Sequence, residues 1–284
     1  EYRRQRQMCI RDSRYPKVFW RNNLLFFRNR PPNAMKNNSS SSISILPYGK
    51  DGGTKKSQVA KMFDGISHRY DLLNRLLSAG IDIRWRKEAL RLLAKYVQPV
   101  QVLDVATGTA DLALALANRW PVASVVGVDI SEGMLSMGRQ KIQSAGLEAR
   151  LELRTADAEN LPFESETYDA VTVAFGVRNF ENLDKGLKEL ARVLRPGGIL
   201  MVLEFSQPKS WMVQRAMNFY SRTLMPTLGG WLSNDRAAYT YLPESVAVFP
   251  EGTAFEEYLK ESGLEILETK RLSLGIASIY LARK

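Results

Sequence analysis

The chain of 284 residues has one cysteine and one histidine. The cysteine, Cys9, lies in the first tenth of the sequence, so everything after it lacks a disulfide, a thiolate nucleophile and a cysteine metal ligand. A zinc site of histidines and cysteines is excluded by count. A Ser-His-Asp hydrolase would have to use His68. No run approaches the ~18–20 apolar residues of a membrane span. Excess charge is also scarce where it would matter. Residues 1–54 hold eleven Lys/Arg and three Asp/Glu, or +8 of the net +10, leaving +2 for the other 230 residues. The basicity belongs to the tail, and a nucleic-acid groove in the body is weakly supported.

The tail is Arg-rich and then Asn/Ser-rich ("NNSSSSISI") and lacks periodicity, which predicts disorder over residues 1–54. One reading of it is an organellar transit peptide. The favoured reading is sequence foreign to the protein, because "QMCIRDS" resembles translated adapter sequence and Met35 supplies a start. Residues 55–284 are expected to form one domain. It opens with helices in which Val59, Met62 and Phe63 share one face, Leu72, Leu73, Leu76 and Leu77 another, and Leu90, Leu93 and Val97 mark a third helix.

Strands and helices then alternate: "VQVLDVA", "ASVVGVD", "ARLELRTAD", "YDAVTVAFG" and "GGILMVLEF" are strands, with helices near 110–118, 132–144 and 183–194. Pro196–Gly198 reads as a turn before the last of these. Two consecutive β-rich segments, "LEILETKRL" and "GIASIYLARK", close the chain. This order predicts an α/β fold: a mostly parallel seven-stranded sheet with helices on both faces and a C-terminal antiparallel hairpin.

Glycine is missing where a dinucleotide site needs it. "VLDVATGTADLALALA" reads as strand, turn and helix, the place where ligands sit in open α/β sheets. A pyrophosphate turn wants G-x-G-x-x-G. Here Gly108 is the only glycine, between Ala106 and Ala110. The two Cβ atoms limit backbone approach, and Asp104 repels a pyrophosphate while suiting a cationic group. Asp129 ends the second strand, where an acid reads the two ribose hydroxyls. Asp157 ends the third, placed to accept from an adenine amino group with backbone help from Ala158. Singly, such aspartates are common helix caps, and Asp111 suits the dipole of its own helix. Together they fit an adenosine with a cationic amino-acid tail, S-adenosylmethionine.

"LDVATGTADLA", "GVDISEGML", "ADAENLPF", "AFGVRNF" and "RVLRPGG" together resemble the Rossmann-like class I S-adenosylmethionine-dependent methyltransferases. With "VAKMFDGISHRYDLLNRLLSAGIDIRWRK" and "VLEFSQP", residues 55–284 more narrowly resemble the ubiquinone/menaquinone-biosynthesis C-methyltransferase family. That resemblance implies methylation of a polyprenylated quinol carbon, with the menaquinone branch favoured. It carries the cofactor contacts to Thr109, Asp129, Asp157 and Ala158, beside Asp104 and Gly108 of the turn. Ala174 stands where some members have serine, so a hydroxyl contact worth about 1 kcal/mol is missing.

A quinol carbon becomes nucleophilic when a neighbouring phenolic oxygen loses its proton. Arg178 and Asn179 follow the fourth strand and are candidates to stabilise that oxygen. The alternative for Arg178 is an ion pair with a neighbouring acid. Tyr70 is a candidate for the pocket wall or for proton transfer, or else a satisfied core tyrosine. His68 is a candidate base, though a surface histidine on a helix is the commoner case. Val213, Met217, Tyr220 and Leu224 recur at helical spacing and form either a wall for a lipid tail or bilayer surface, or an ordinary core face. The expected partners are a lipophilic quinol, a bilayer surface and a second copy of the chain, with no nucleic acid and no metal. The expected location is the cytoplasm, or an organelle if the tail is a transit peptide. Two other classes stay open: a Rossmann oxidoreductase, opposed by the absent glycines, and a basic adaptor acting through the tail.

Overall fold

The computed structural model describes residues 45–220 and 236–284. Expectations for residues 1–44, and for Leu224, lie outside the described residues. The helices are α1 (Lys55–Ser78), α2 (Ile81–Leu93), α3 (Asp111–Arg119), α4 (Glu132–Ala145), α5 (Leu183–Val193), α6 (Trp211–Phe219), α7 (Arg236–Val248) and α8 (Thr253–Glu261). The strands are β1 (Gln101–Val105), β2 (Ser124–Asp129), β3 (Leu151–Thr155), β4 (Tyr168–Ala174), β5 (Leu194–Phe205), β6 (Glu265–Leu272) and β7 (Ala277–Arg283).

The seven strands form one sheet in the order β3-β2-β1-β4-β5-β7-β6. β1 to β5 run parallel, and β7 is antiparallel to both β5 and β6. The expected topology is therefore what the chain adopts. Both sheet faces are covered, so the central strands are mostly apolar, with Asp104, Thr172 and Glu204 as buried polar exceptions. Along β5, Ile199, Met201 and Leu203 join a core with Leu92, Leu116 and Leu135. Leu200 and Val202 join the opposite core with Leu187, Leu190 and Phe255. β3, at the edge, buries only one face: Leu151 and Leu153 point in, Glu152 and Arg154 out.

After β1 the chain moves outward to β2 and β3, then returns to place β4 on the other side of β1. The loops after β1 and β4 therefore diverge, and a crevice opens at the carboxyl ends of the strands.

Two local expectations are corrected, and one helix face is found exposed. The turn expected at Pro196–Gly198 is a bulge inside β5, where pairing shifts between Tyr168 and Ala170. Leu72 and Leu76 point away from the core and are half exposed. Residues 45–54, expected to belong to the tail, pack on the body: Ile45 lies against the cluster of Val59, Met62 and Tyr241. Buried Gln58 accepts from the Tyr48 amide at 2.7 Å and donates to the carbonyls of Gly49 at 2.8 Å and Gly53 at 2.9 Å. A buried amide without partners costs about 1–3 kcal/mol. A chain beginning at Lys55 is thus expected to melt roughly 2–6 °C below one beginning at Ile45. Equal melting temperatures would show that this segment contributes nothing.

Candidate functional site

The cleft lies over the carboxyl ends of β1 to β4. Val105, Ala106, Asp129, Ile130, Ala156, Asp157, Ala158, Gly176 and Asn179 border it, and α1 covers it with Lys56, Val59 and Phe63. α1 is seated by Asp64, whose Oδ1 accepts from the Ser131 hydroxyl at 2.6 Å and the Gly133 amide at 2.9 Å at the start of α4.

The turn after β1 behaves as a glycine loop built largely without glycine. Ala106, Gly108 and Ala110 all take positive φ, at 53°, 57° and 65°. Each alanine bears left-handed strain of about 1–2 kcal/mol. The Ala106 methyl fits only because its neighbour across the crevice is Gly176. A Cβ there would lie 2.5 Å from the Ala106 Cβ. The crevice is thus narrower than a three-glycine turn would leave it, though open enough for Asp129.

Asp129 Oδ2 accepts from the Gly108 amide at 2.8 Å and Oδ1 from the Ser131 amide at 2.9 Å. Burial raises this carboxyl's pKa, and these backbone donors counter it. The Ile130 amide is a further backbone donor to this carboxyl, so only part of its acceptor capacity is left for a ribose hydroxyl. Asp157 is ion-paired with Lys56, and its Oδ1 accepts from the Glu159 amide at 2.9 Å. Glu159, unremarked in the sequence, is buried and accepts from the amides of Glu181 at 2.7 Å and Asn182 at 3.0 Å. It thereby ties the third-strand acid to the loop after β4. Ala158 and Gly108 lie where the sequence predicts.

Two expected cofactor residues are placed otherwise. Asp104 is 1% exposed. The β1–β4 register sets it opposite Thr172, whose hydroxyl donates to Oδ1 at 2.6 Å, while Thr107 donates to Oδ2 at 2.7 Å. Asp104 thus supports the turn from below, with both carboxyl oxygens engaged by threonine hydroxyls. Thr109 is also buried. Its hydroxyl donates to Asp71 at 2.6 Å and accepts from Lys141 at 3.0 Å, and Lys141 bridges Asp71 and Asp111. The Thr109 hydroxyl thereby joins α1, α3 and α4.

Burial pushes the Asp104 carboxyl up to about 6, against the pull of the two threonine hydroxyls. The folded state then holds this proton to higher pH than the unfolded chain, whose carboxyl titrates near 4. Its contribution is fully present below about pH 4 and is lost as pH rises through about 6. The loss amounts to roughly 3 kcal/mol. Asp104→Asn should therefore be more stable than the parent at pH 7 and indistinguishable from it near pH 4. Denaturant melts at both pH values check this, and a pH-independent difference would refute it.

Beyond β4, Phe175 takes a left-handed φ of 59° and a short 3-10 turn (Val177–Asn179) follows. Lys55 clamps this turn by donating to the carbonyls of Arg178 at 3.0 Å and Phe180 at 2.8 Å. Burial, with Arg178 nearby, lowers the Lys55 ammonium to about 8.

The Arg178 side chain is 7% exposed and pairs at 2.8 Å with Glu204, which is 0% exposed. The ion pair weighed against a catalytic role is thus present. It does not exhaust the guanidinium. Nη1 serves Glu204 and the Phe175 carbonyl, whereas Nε is buried without a partner. An orphaned donor in a native interior points to a missing acceptor. The guanidinium also lies 5.4 Å over the Phe205 ring, in a cluster with Phe175 and Trp85.

Tyr70 is half-buried and edge-on to Phe63 with centroids 6.0 Å apart. Its hydroxyl bonds Asn74 and is held protonated by burial, within electrostatic range of Arg178. His68 is exposed on α1 and does not border the cleft. Glu204 was visible in the sequence as an acid inside the apolar run "VLEF". Nothing local marked Lys56, Glu159 or Tyr241.

A family model described as the ubiE/COQ5 methyltransferase family matches residues 52–284. The chain is 42% identical over 240 residues to the demethylmenaquinone methyltransferase of Bacteroides fragilis, covering 84% of this chain and 97% of that one. It is 46% identical over 220 residues to the demethylmenaquinone methyltransferase of Thermus thermophilus, covering 78% and 98%. It is 47% identical over 219 residues to the ubiquinone/menaquinone biosynthesis C-methyltransferase UbiE of Syntrophotalea carbinolica, covering 77% and 91%. Among solved structures it is similar to the [4+2]-cyclase SpnF, with a TM-score of 0.60 at 20% identity over 85% of this chain and 99% of that one. It is also similar to a SAM-dependent methyltransferase from Aquifex aeolicus, with a TM-score of 0.51 at 18% identity over 69% and 88%. At these identities the structural likeness bears on the fold alone.

Proposed function

This chain belongs to the ubiE/COQ5 methyltransferase family, and from that premise we propose that it transfers a methyl group from S-adenosylmethionine to a ring carbon of a lipophilic quinol. The observation that carries the reading is the strand-end cleft bordered by Asp129, Asp157 and Asn179, with Arg178, whose buried Nε has no partner, next to Asn179 in the same turn.

S-adenosylmethionine, when bound, supplies a methyl group already activated on a sulfonium. The cleft suits it: Asp129 would accept from the ribose, and Asp157 and Ala158 would border the adenine end. The Ala106–Gly108 turn would hold the methionine end. Methyl transfer of this kind needs little covalent help from the protein. The protein holds the quinol carbon in line with the methyl group and favours loss of the proton on the neighbouring oxygen. Arg178, in the turn that borders the cleft through Gly176 and Asn179, would stabilise the charge that develops there. The bound cofactor would supply the methyl group and keep the sulfur as leaving group, and the displaced ring proton would pass to solvent. α1 excludes water over the cleft.

The substrate we favour is demethylmenaquinol, because the Bacteroides and Thermus relatives carry the corresponding name. The quinol's tail would lie along α6. Val213 and Met217 there are half-buried, while Trp211, Met212 and Phe219 are 63–66% exposed. Such an apolar helix surface suits a polyprenyl chain or the face of a bilayer. Among the described residues no helix is long and apolar enough to cross a membrane.

The test is methylation by the purified protein of demethylmenaquinol, a benzoquinol and a phytyl-naphthoquinol, each with labelled S-adenosylmethionine. Label in the first above the others supports the naphthoquinol. Preference for another ring changes the substrate, and label in none defeats the reading. Hydride transfer with a nicotinamide cofactor would favour the oxidoreductase.

A further inference from the structure

Asn179 borders the cleft, and its backbone is fixed from two sides. Its amide donates to the Gly176 carbonyl at 2.9 Å, closing the 3-10 turn. Lys55 grips the carbonyls on either side of it, those of Arg178 and Phe180. What this clamp leaves undetermined is the side-chain amide. Rotation about χ2 of an asparagine is broad and roughly two-fold, so Oδ1 and Nδ2 can exchange places at little cost. One presents an acceptor to the cleft, the other a donor.

A residue 62 positions away decides between them. The Tyr241 hydroxyl, on α7, lies 3.1 Å from Asn179 Oδ1. Tyr241 is 3% exposed, and its ring is wedged against Val59 and Met62 of α1. Burial pushes its pKa up to about 12, so it carries its proton throughout the neutral range. A buried hydroxyl that only accepted a hydrogen bond would leave its own O–H without a partner, which is strongly disfavoured. The tyrosine therefore donates, Oδ1 accepts, and the NH₂ group is the part of the amide left for the cleft.

We propose that Tyr241 is a positioning residue: by donating to Asn179 Oδ1 it fixes the Asn179 amide with its NH₂ toward the cleft, as a hydrogen-bond donor to the quinol oxygen beside the carbon that is methylated. This rests on the quinol reading above. Neighbouring positions in one turn then act on one developing oxyanion, Asn179 through Nδ2 at the cleft and Arg178 through its charge. Each is oriented by a buried group from a distant segment, Glu204 for the arginine and Tyr241 for the asparagine. With the amide reversed, an acceptor would face the same oxygen and repel its charge.

The test is Tyr241→Phe, which removes one oxygen and keeps the ring in its packing. At saturating S-adenosylmethionine, kcat for quinol methylation should fall about tenfold, the rate equivalent of one hydrogen bond to a charged group. KM for the quinol and affinity for S-adenosylmethionine should stay within about twofold, the signature of an interaction made in the transition state. Asn179→Ala should also lower kcat, and the double variant should be no slower than Asn179→Ala, since the hydroxyl acts only through the amide. The proposal is overturned if Tyr241→Phe turns over like the parent. It is equally overturned if the two losses multiply in the double variant. A lower melting temperature with unchanged kcat would make Tyr241 purely structural. If the parent protein methylates no quinol, the quinol reading itself fails, an outcome visible before any variant is compared.

Discussion

Arg178→Ala is expected to lower kcat for quinol methylation by about 100-fold or more, comparable to losing one electrostatic stabiliser of a developing oxyanion. The affinity of the folded variant for S-adenosylmethionine should change little. A residue whose contact strengthens toward the transition state acts on turnover rather than on cofactor binding. The structure adds a second effect. Removing the guanidinium leaves the fully buried Glu204 without its cation, and breaking a buried pair from one side costs about 3–5 kcal/mol. Alanine should therefore both slow and destabilise the enzyme.

Arg178→Lys separates these effects. A lysine keeps a positive charge for Glu204 but lacks the planar fork and has nothing at the place of Nε. It should restore most of the stability and only part of kcat. The measurements are thermal melts, quinol methylation at saturating cofactor, and a separate titration of S-adenosylmethionine. Full turnover by the lysine variant would reduce Arg178 to a charge partner of Glu204. Cofactor affinity falling as far as kcat would move it to the cofactor side.

Asp129→Ala is expected to weaken S-adenosylmethionine binding roughly 10- to 150-fold, the equivalent of about 1.5–3 kcal/mol for hydrogen bonds to a charged acceptor. Part of that loss is indirect, because the carboxylate also holds the amides of Gly108 and Ser131. Asp129→Asn keeps one acceptor and should fall between parent and alanine. Calorimetric titration at neutral pH reads all three. Unchanged affinity in the alanine variant would remove Asp129 from the ribose site, whatever its effect on the turn.

Much of this was legible along the chain, and for a local reason. The alternation of apolar runs with helical periodicity gave five parallel strands, because period and chain order are properties of neighbouring residues. Strand ends follow from the same pattern, so the cleft was located before any contact was known. The paired strands at the C-terminus fell to the same reasoning. The missing glycines were legible too, and Ala106 and Ala110 take the left-handed angles a glycine would have taken.

Which strand-end side chains face the ligand was not legible, because the competitors for each polar atom come from far along the chain. Thr172, 68 residues away, claims Asp104, and Asp71, 38 residues away, claims Thr109. Equally distant residues decide Arg178 and Asn179: Glu204 pairs with the first and Tyr241 orients the second. The sequence by itself determined the order of the strands, the place of the cleft and the chemical class of the residues around it. Only the tertiary structure decided which acids turn inward, which guanidinium nitrogen is left without an acceptor and which way an amide points. A buried polar atom must be satisfied, and the partner that satisfies it is chosen by packing, not by proximity in sequence.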